Sequence, residues 1–335
     1  MSFLAKKFKP LKKSLFIIFT LFFAASAYTQ KISSAELKQL IQKEDTLKGL
    51  AKNLIIDSLT EGRMRNDSVF IRTLVRTLQV KNSFHYPFDS VIGISKLYSP
   101  DSSFRIFTWS LAFDDYYSRQ RGAIQLKTDD GSLRLIPLTD FSEFTSNPND
   151  SIRTKDNWIG AVYYNIIHNK HNGKNFYTLF GIDQHSVRST KKWIEVLTFN
   201  ERNQPVFGGP FFSFENDTGA MRKKVLHRYN IEYNKEARTL VNFVDDEEMI
   251  LIDHLISETD EPDKPYTFIP DGDYQGFRWK NGKWVHVDKV FDFKLKDGEF
   301  PMPDPLHDDD GNSNDNKLKK QTENTKQKKK TGKGN

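Results

Sequence analysis

An acidic run at residues 308–315 carries the oxygen side chains that Ca²⁺ binds. An EF-hand loop needs oxygen ligands at positions 1, 3 and 5, glycine at position 6 and glutamate at position 12. If Gly311 is placed at position 6, Leu306 falls at position 1 and Lys317 at position 12, so the loop lacks a ligand at both ends. We therefore interpret this run as a solvated acidic linker.

Two histidine patterns resemble metal or catalytic sites. His168 and His171 have a spacing that suits zinc on a helix face, but they fall in a predicted turn over residues 168–173 with no cysteine or carboxylate nearby. Asp253 and His254 are adjacent in a predicted strand, where neighbouring side chains point to opposite faces, so they cannot orient each other as a catalytic dyad. Neither pattern predicts a site.

The chain lacks the common catalytic motifs. It contains no G-x-S-x-G elbow, no H-E-x-x-H, no phosphate loop and no G-x-G-x-x-G. It also has no cysteine, which excludes thiol nucleophiles, thiolate metal sites and disulfides. The sequence therefore predicts no catalytic, cofactor-binding or metal-ligating residue. A carboxylate pair for glycoside hydrolysis remains an alternative, because sequence does not give the separation of two carboxylates.

One short pattern recurs, in which aspartate is followed by serine or threonine and then by an aliphatic residue. It resembles the acceptor pattern for O-glycosylation of exported Bacteroidetes proteins, but Asp-Ser is also common in helix caps and turns, and both interpretations stay open. The pattern occurs at Asp45-Thr46-Leu47, Asp57-Ser58-Leu59, Asp67-Ser68-Val69, Asp89-Ser90-Val91 and Asp150-Ser151-Ile152.

Residues 89–292 are predicted to form a β domain, because their apolar residues alternate with a period of two. Many short strands with short turns and no long helix between them favour an antiparallel meander folded as a sandwich or barrel. A β-propeller-like arrangement is the alternative, although no repeat of about 40 residues is present. Predicted turns include residues 129–132, 172–173 and 200–205.

The last hairpin can be predicted in register. Asn281-Gly282 is a strong two-residue hairpin signal, since both positions need positive φ. Such a loop pairs Lys280 with Lys283, Trp279 with Trp284, and Phe277 with His286. The aromatic face is predicted to be buried and the face with Arg278 and the lysines exposed. On that apolar face, His286 is predicted to be a hydrogen-bonded core histidine rather than a ligand.

Residues 31–82 are predicted to form a helical arm that packs on the β domain. Ser33 and Glu36 make a capping box, and leucines and isoleucines then recur at spacings of three and four. Gly62 is predicted to break the pattern, and Asp67 or Ser68 to cap a further helix.

Residues 1–27 have the pattern of a cleavable export signal. Five lysines precede a short apolar run, which ends in the small residues Ala24-Ala25-Ser26-Ala27. The apolar run is shorter than the roughly 20 residues that a membrane span needs. The sequence therefore predicts a periplasmic or secreted protein, cut after Ala27, with no transmembrane span in the mature chain.

The net charge of +6 comes from the two ends of the chain. The first 30 residues carry +5 and the last 20 carry +7, which leaves −6 for residues 31–315. A basic composition is therefore no evidence for nucleic-acid binding by the body. Residues 300–335 are predicted to be a disordered tail, acidic and then lysine-rich, which could associate with an anionic surface.

Three stretches resemble a family of exported Bacteroidetes proteins that has no assigned activity. They are Ser99-Pro100-Asp101-Ser102-Ser103-Phe104-Arg105-Ile106-Phe107-Thr108-Trp109, then Val244-Asp245-Asp246-Glu247-Glu248-Met249 with Asp253-His254-Leu255, and Pro270-Asp271-Gly272-Asp273-Tyr274-Gln275-Gly276-Phe277. The resemblance implies export and supplies no functional residue.

The sequence favours a non-catalytic cell-envelope protein that binds a partner protein or a glycan through its β domain. A carboxylate-dependent hydrolase of glycan or peptidoglycan is one alternative. The other alternative is a tether to anionic surfaces through the lysine tail.

Overall fold

The structure, a computed structural model, describes residues 32–114, 116–217 and 224–291, beginning with two helices. Helix α1 spans Ser34–Ile56 and helix α2 spans Thr60–Leu78. The predicted capping box is confirmed, since the Ser33 amide donates to Glu36 Oε2 over 2.8 Å and the Glu36 amide donates to Ser33 Oγ over 3.3 Å. These two hydrogen bonds satisfy amides that the first helical turn leaves free.

The break between the helices lies earlier than predicted. The chain turns at Asp57, whose Oδ1 accepts the Leu59 amide over 3.0 Å, and α2 begins at Thr60. Gly62 lies inside the first turn of α2, where a Cβ atom would come within 2.0 Å of Asp57 Oδ2. Its lack of a side chain therefore lets the turn close, and does not end a helix. Asp67, predicted as a possible cap, lies within α2.

Sixteen strands follow α2 in the described residues and form three sheets. The first sheet has the order β1-β2-β3-β4, with β1 Ser95–Tyr98, β2 Phe104–Ala112, β3 Ser118–Leu126 and β4 Arg134–Thr139. The second sheet has the order β5-β9-β8-β7-β6, with β12 also paired to β8; its strands are β5 Arg153–Thr154, β6 Val162–His171, β7 Lys174–Asp183, β8 Ser189–Phe199, β9 Pro205–Phe207 and β12 Arg228–Asn234. The third sheet has the order β11-β10-β16-β15-β14-β13, with β10 Phe212–Ser213, β11 Val225–Leu226, β13 Val241–Val244, β14 Met249–Ser257, β15 Phe268–Lys280 and β16 Lys283–Val287.

The first sheet is covered on both faces. Along β2, Phe104 and Ile106 join a core shared with the second sheet, whereas Phe107 and Trp109 join a core shared with the two helices. This division follows from the period of two in a strand. The helical arm thus packs on the outer face of the first sheet, as predicted.

The second sheet lies between the other two. Along β7, Tyr177 and Leu179 face the first sheet, while Phe176 and Phe180 join the core shared with the third sheet. The order of layers is therefore helices, first sheet, second sheet, third sheet. Each sheet is open, so the mainly antiparallel sheet fold is confirmed and the barrel alternative is not what these residues form. One strand pair, β10 with β16, is parallel.

The hairpin of β15 and β16 has the predicted register. Trp279 pairs with Trp284 and Phe277 pairs with His286, around a turn in which Asn281 and Gly282 have φ of 51° and 79°. The two indole rings lie 5.2 Å apart in an edge-to-face contact. Trp284 is fully buried, but Trp279 is only half-buried, so the aromatic face is partly open at its edge.

A chain of buried polar groups runs through the core between the first and second sheets. Trp158 Nε1 donates to the Tyr163 hydroxyl over 2.7 Å, and that hydroxyl donates to Glu195 Oε1. Glu195 Oε2 accepts from Arg228 Nε over 3.1 Å, and both side chains of this ion pair are fully buried. Arg228 also donates to the Ser151 carbonyl over 2.9 Å. The two charges of this buried ion pair therefore compensate each other, as burial requires.

Arg105 is fully buried without a carboxylate partner. Its guanidinium donates to the Tyr86 carbonyl over 2.6 Å, the Ser83 carbonyl over 2.9 Å and Gln125 Oε1 over 2.9 Å. It also lies 4.7 Å from the ring centroid of Phe107. Burial lowers the pKa of Arg105 to about 10, so the side chain remains a cation at neutral pH. It fastens the segment after α2 to the first sheet.

The predicted export signal at residues 1–27 and the predicted tail at residues 300–335 lie outside the described residues. All described helices and strands belong to one compact unit that ends at Val290. Neither helix in the described part of the chain is long and apolar enough to cross a membrane.

Candidate functional site

The main cleft of the described residues lies where strand ends of the first and second sheets meet. Because these sheets are antiparallel, the starts of β2, β4 and β7 lie at the same end as the ends of β3 and β8. A cleft of about 1220 Å³ opens there, which we call the strand-end cleft. Its lining residues are Asp101, Ser103, Phe104, Leu126, Lys127, Arg134, Lys174, Asn175, Phe176, Tyr177, Thr198, Phe199, Asn200, Glu201, Arg202, Asn203 and Phe211.

Aromatic rings form the floor of the cleft. The ring centroid of Phe104 lies 4.8 Å from that of Tyr177 and 5.1 Å from that of Phe199, and both contacts are edge-to-face. Phe104 and Tyr177 are buried in the core, whereas Phe199 is partly exposed. On the other side of Tyr177, the His168 ring stacks at 4.8 Å with an angle of 14° between the planes. The floor is therefore an extension of the core and is held in a fixed position.

Asp101 fixes the hydroxyl of Tyr177 beside this floor. Asp101 Oδ2 accepts from the Tyr177 hydroxyl over 2.7 Å, and Oδ1 accepts from the Ser103 hydroxyl over 2.8 Å. Burial alone would raise the pKa of Asp101, but these hydrogen bonds and one from Ser99 lower it to about 2. Asp101 is thus ionised at neutral pH and serves as an acceptor, not as a proton donor.

Four cationic side chains surround the mouth of the cleft. Lys127 follows β3, Arg134 begins β4, Lys174 begins β7 and Arg202 lies in the loop after β8, and all four are exposed. None of the four forms an ion pair within the described part of the chain. Glu201 is the second acid of the lining beside Asp101. The mouth is therefore positively charged.

The loop that carries Arg202 is shaped by Asn200. Asn200 Oδ1 accepts the amides of Arg202 over 2.9 Å and Gln204 over 3.0 Å, which closes an Asx turn. Asn203 adopts a φ of 55°, a region that asparagine tolerates well. The predicted turn at residues 200–205 is therefore confirmed, and it places Glu201 and Arg202 at the cleft.

His168 and His171, for which the sequence predicts no zinc site, both lie on β6. This strand runs to His171 and is longer than predicted. The turn itself is confined to Asn172 and Gly173, so the prediction that both histidines occupy a turn was wrong. His168 Nε2 lies 3.0 Å from Asn175 Oδ1, and its ring supports Tyr177. Within the described ranges, no group of three or more histidine, aspartate or glutamate side chains could hold a metal ion.

Asp253 and His254 have separate partners, as predicted from their opposite faces. Asp253 Oδ2 accepts the Leu240 amide over 2.6 Å, while His254 Nδ1 lies 2.8 Å from Asp271 Oδ2. Neither contributes to the strand-end cleft.

His286 is a hydrogen-bonded core histidine, as predicted. It is buried, with Nδ1 2.9 Å from Asp217 Oδ2 and Nε2 3.0 Å from Gln275 Oε1.

A second group of acidic residues lies at the opposite end of the sheets. Burial raises the pKa of Asp183, and the charge of Asp140 raises it further. Gln120 links the two, since its amide donates to Asp140 Oδ2 over 2.7 Å and its Nε2 donates to Asp183 Oδ1 over 3.2 Å. Asp140 also accepts the Ser142 amide over 2.9 Å, so its two oxygens both stabilise the local backbone.

The recurrent Asp-Ser/Thr-aliphatic pattern falls on surface positions in several cases. Thr46, Ser58 and Ser68 are exposed, whereas Ser90 and Ser151 are half-buried. Asp67, in the third occurrence, is buried and accepts from Trp109 Nε1 over 2.9 Å. At that position the aspartate stabilises the contact between α2 and the first sheet.

No protein-family model matches this chain, and no curated protein matches it significantly. The function of the cleft is therefore inferred from the chemistry of its lining residues. An aromatic floor, amide groups and unpaired cations can hold a ligand that combines an apolar ring face with polar and anionic groups.

Proposed function

We propose that this protein is an exported, non-catalytic protein of the cell envelope that binds a glycan in the strand-end cleft. The observation that carries the proposal is the aromatic floor beneath a polar rim. A sugar ring has a face of C–H groups that packs on an aromatic ring, and hydroxyls that need hydrogen-bonding partners. Phe199 offers a partly exposed ring, and Asn175 and Asn203 lie beside it with exposed amides.

The same cleft supports binding rather than hydrolysis. Glycoside hydrolysis needs a carboxylic acid that is protonated at the working pH, together with a second carboxylate. Asp101 has a low pKa and both of its oxygens accept hydrogen bonds, so it does not supply that acid. The acid with a raised pKa, Asp183, lies at the far end of the sheets.

Export of the protein is supported by the residue pattern at positions 1–27 and by the resemblance to exported Bacteroidetes proteins. The stretch that carries the resemblance includes Asp101, Ser103 and Phe104, all of which line the cleft. Hydrolysis through Asp183 and tethering through the lysine tail remain alternative proposals.

Glycan binding is tested with Phe199→Ala in the full mature chain. The ligand is a glycan that the parent protein binds on a glycan array. Loss of the ring is expected to weaken binding of this glycan about ten-fold, which is the effect expected for one lost aromatic contact. Phe243→Ala is the matched control, because Phe243 is also a partly buried phenylalanine but packs in the core between the second and third sheets. Affinity is measured by calorimetry, and the thermal midpoint of each variant shows that it is folded.

Equal weakening by Phe199→Ala and Phe243→Ala would contradict a role for the cleft. Shortened glycan chains after incubation with the parent protein would favour the hydrolase alternative. Asp183→Asn would then be expected to abolish the cleavage.

A further inference from the structure

We infer that the ligand of the strand-end cleft is an acidic glycan, with carboxylate or sulfate groups on its sugars. This inference rests on the proposed function and specifies its substrate class. The first observation is the excess of cations over acids in the lining of the cleft. Residues 32–291 have 34 lysines and arginines against 35 aspartates and glutamates, so their charges nearly balance, yet four cations and only two acids line the cleft.

One of those acids, Asp101, is already hydrogen-bonded within the fold. Asp101 accepts hydrogen bonds from Tyr177 and Ser103, which hold it below the mouth. Glu201 is exposed and makes no ion pair among the residues described. Among the residues that the structure describes, the cleft lining therefore has more cations than acids that could neutralise them.

The arrangement of the cations indicates a ligand with several anionic groups. Lys127, Arg134, Lys174 and Arg202 come from four different strand ends or loops, and all four line the cleft. Arg134 Nη2 lies 3.4 Å from the Arg202 carbonyl oxygen, which places two of the cationic residues side by side. Like charges that the fold gathers in this way repel one another, and an anionic ligand relieves that repulsion.

The floor distinguishes a glycan from other polyanions. Successive bases of single-stranded nucleic acid stack on several open aromatic faces, but here Phe104, Phe176 and Tyr177 are buried, and Phe199 and Phe211 are only partly exposed. A glycan can pack one sugar ring on a single partly exposed aromatic ring, and the acidic substituents of that sugar lie around its rim, where lysine and arginine side chains of the cleft can contact them.

The test compares two charge-matched double variants of the full mature chain. Lys127→Gln with Lys174→Gln removes two cations from the cleft. Lys48→Gln with Lys52→Gln removes two exposed lysines from α1, on a different layer of the molecule. Any contribution of the lysine tail is the same in both, so the difference between them reports the cleft alone. The probes are dextran sulfate, polygalacturonate, uncharged dextran and an oligothymidylate.

We expect the cleft variant to bind the acidic polysaccharides at least ten-fold more weakly than the parent, and the α1 variant to bind within two-fold of it. Binding by the parent should weaken as salt is raised, and less steeply for the cleft variant. Dextran sulfate and polygalacturonate separate sulfate from carboxylate recognition.

Three results would overturn the inference. Equal affinities of the two double variants would remove the cleft from acidic-glycan binding. Tighter binding of uncharged dextran than of dextran sulfate would overturn the charge preference while leaving the proposed glycan-binding function intact. Tighter binding of an oligothymidylate than of either acidic polysaccharide would show a polyanion site of another class. If the parent binds no glycan at all, the proposed function itself fails.

Discussion

At the scale of single residues, buried charges are stabilised in two different ways. Glu195 and Arg228 neutralise each other inside the core between the first and second sheets. Arg105, in contrast, is satisfied by carbonyl oxygens and aromatic faces and keeps its positive charge. The two arginines therefore depend on different partners, and removing those partners should have different costs.

Glu195→Gln is expected to destabilise the protein by about 3–5 kcal/mol, because it leaves the guanidinium of Arg228 buried without a counter-charge. The matched control is Glu261→Gln, which breaks the exposed ion pair with Lys264 and should leave the unfolding midpoint unchanged. Both variants are measured by urea unfolding. Equal midpoints would mean that the carbonyl partners of Arg228 are sufficient to satisfy it.

At the scale of elements, the β15–β16 hairpin is the part that the sequence predicted in most detail. Asn281-Gly282 sets the turn, the turn sets the register, and the register puts both tryptophans on one face. Trp284 also donates from Nε1 to Thr178 Oγ1 over 3.0 Å, which joins the third sheet to the second. This contact links residues far apart in the chain and could not be predicted from the hairpin alone.

Trp284→Ala is expected to cost about 3–5 kcal/mol, because it removes a fully buried ring and leaves a cavity. Trp279→Ala should cost less, since Trp279 is only half-buried. Lys280→Ala, on the exposed face, should stay within about 0.5 kcal/mol. The three free energies of unfolding are compared in denaturant. A lysine cost equal to that of Trp284 would contradict the register.

Local signals therefore predicted the elements, but not how the elements meet. The turns at residues 129–132, 172–173 and 200–205 were each predictable, because Gly, Asn and Asp favour turns. The cleft arises because strand ends next to those turns lie together, and that depends on the packing of the first sheet on the second. Both faces of β7 are apolar, so its pattern gives no indication of which sheet covers which face. The sequence gives no indication that the four cationic residues of the cleft lie close together, because each is a single charged residue near a different turn.

At the scale of the whole molecule, the net charge is distributed unevenly along the chain. The two ends of the chain are basic, residues 292–315 are acidic, and the charges of residues 32–291 nearly balance. The described layers are formed by the nearly neutral part of the chain, with the helices on one outer face and the third sheet on the other. The proposed envelope location depends on the first 27 residues, which are not among the residues that the structure describes.

The mature protein is expected to begin near Tyr28 and to be recovered from the periplasm or the medium, because small residues follow a short apolar run. Cell fractionation followed by N-terminal sequencing measures this. Full-length protein retained in the inner membrane would contradict the export signal and favour an uncleaved anchor.

The position of the cleft at strand ends has a mechanical consequence. A polymer bound there and pulled away would load β2, β7 and β8 along their lengths. The hydrogen bonds between antiparallel strands run perpendicular to that direction, so they would share the load in shear and would not open one at a time. Such a geometry resists force well, so under the proposed function the cleft would keep its shape while a bound glycan is pulled.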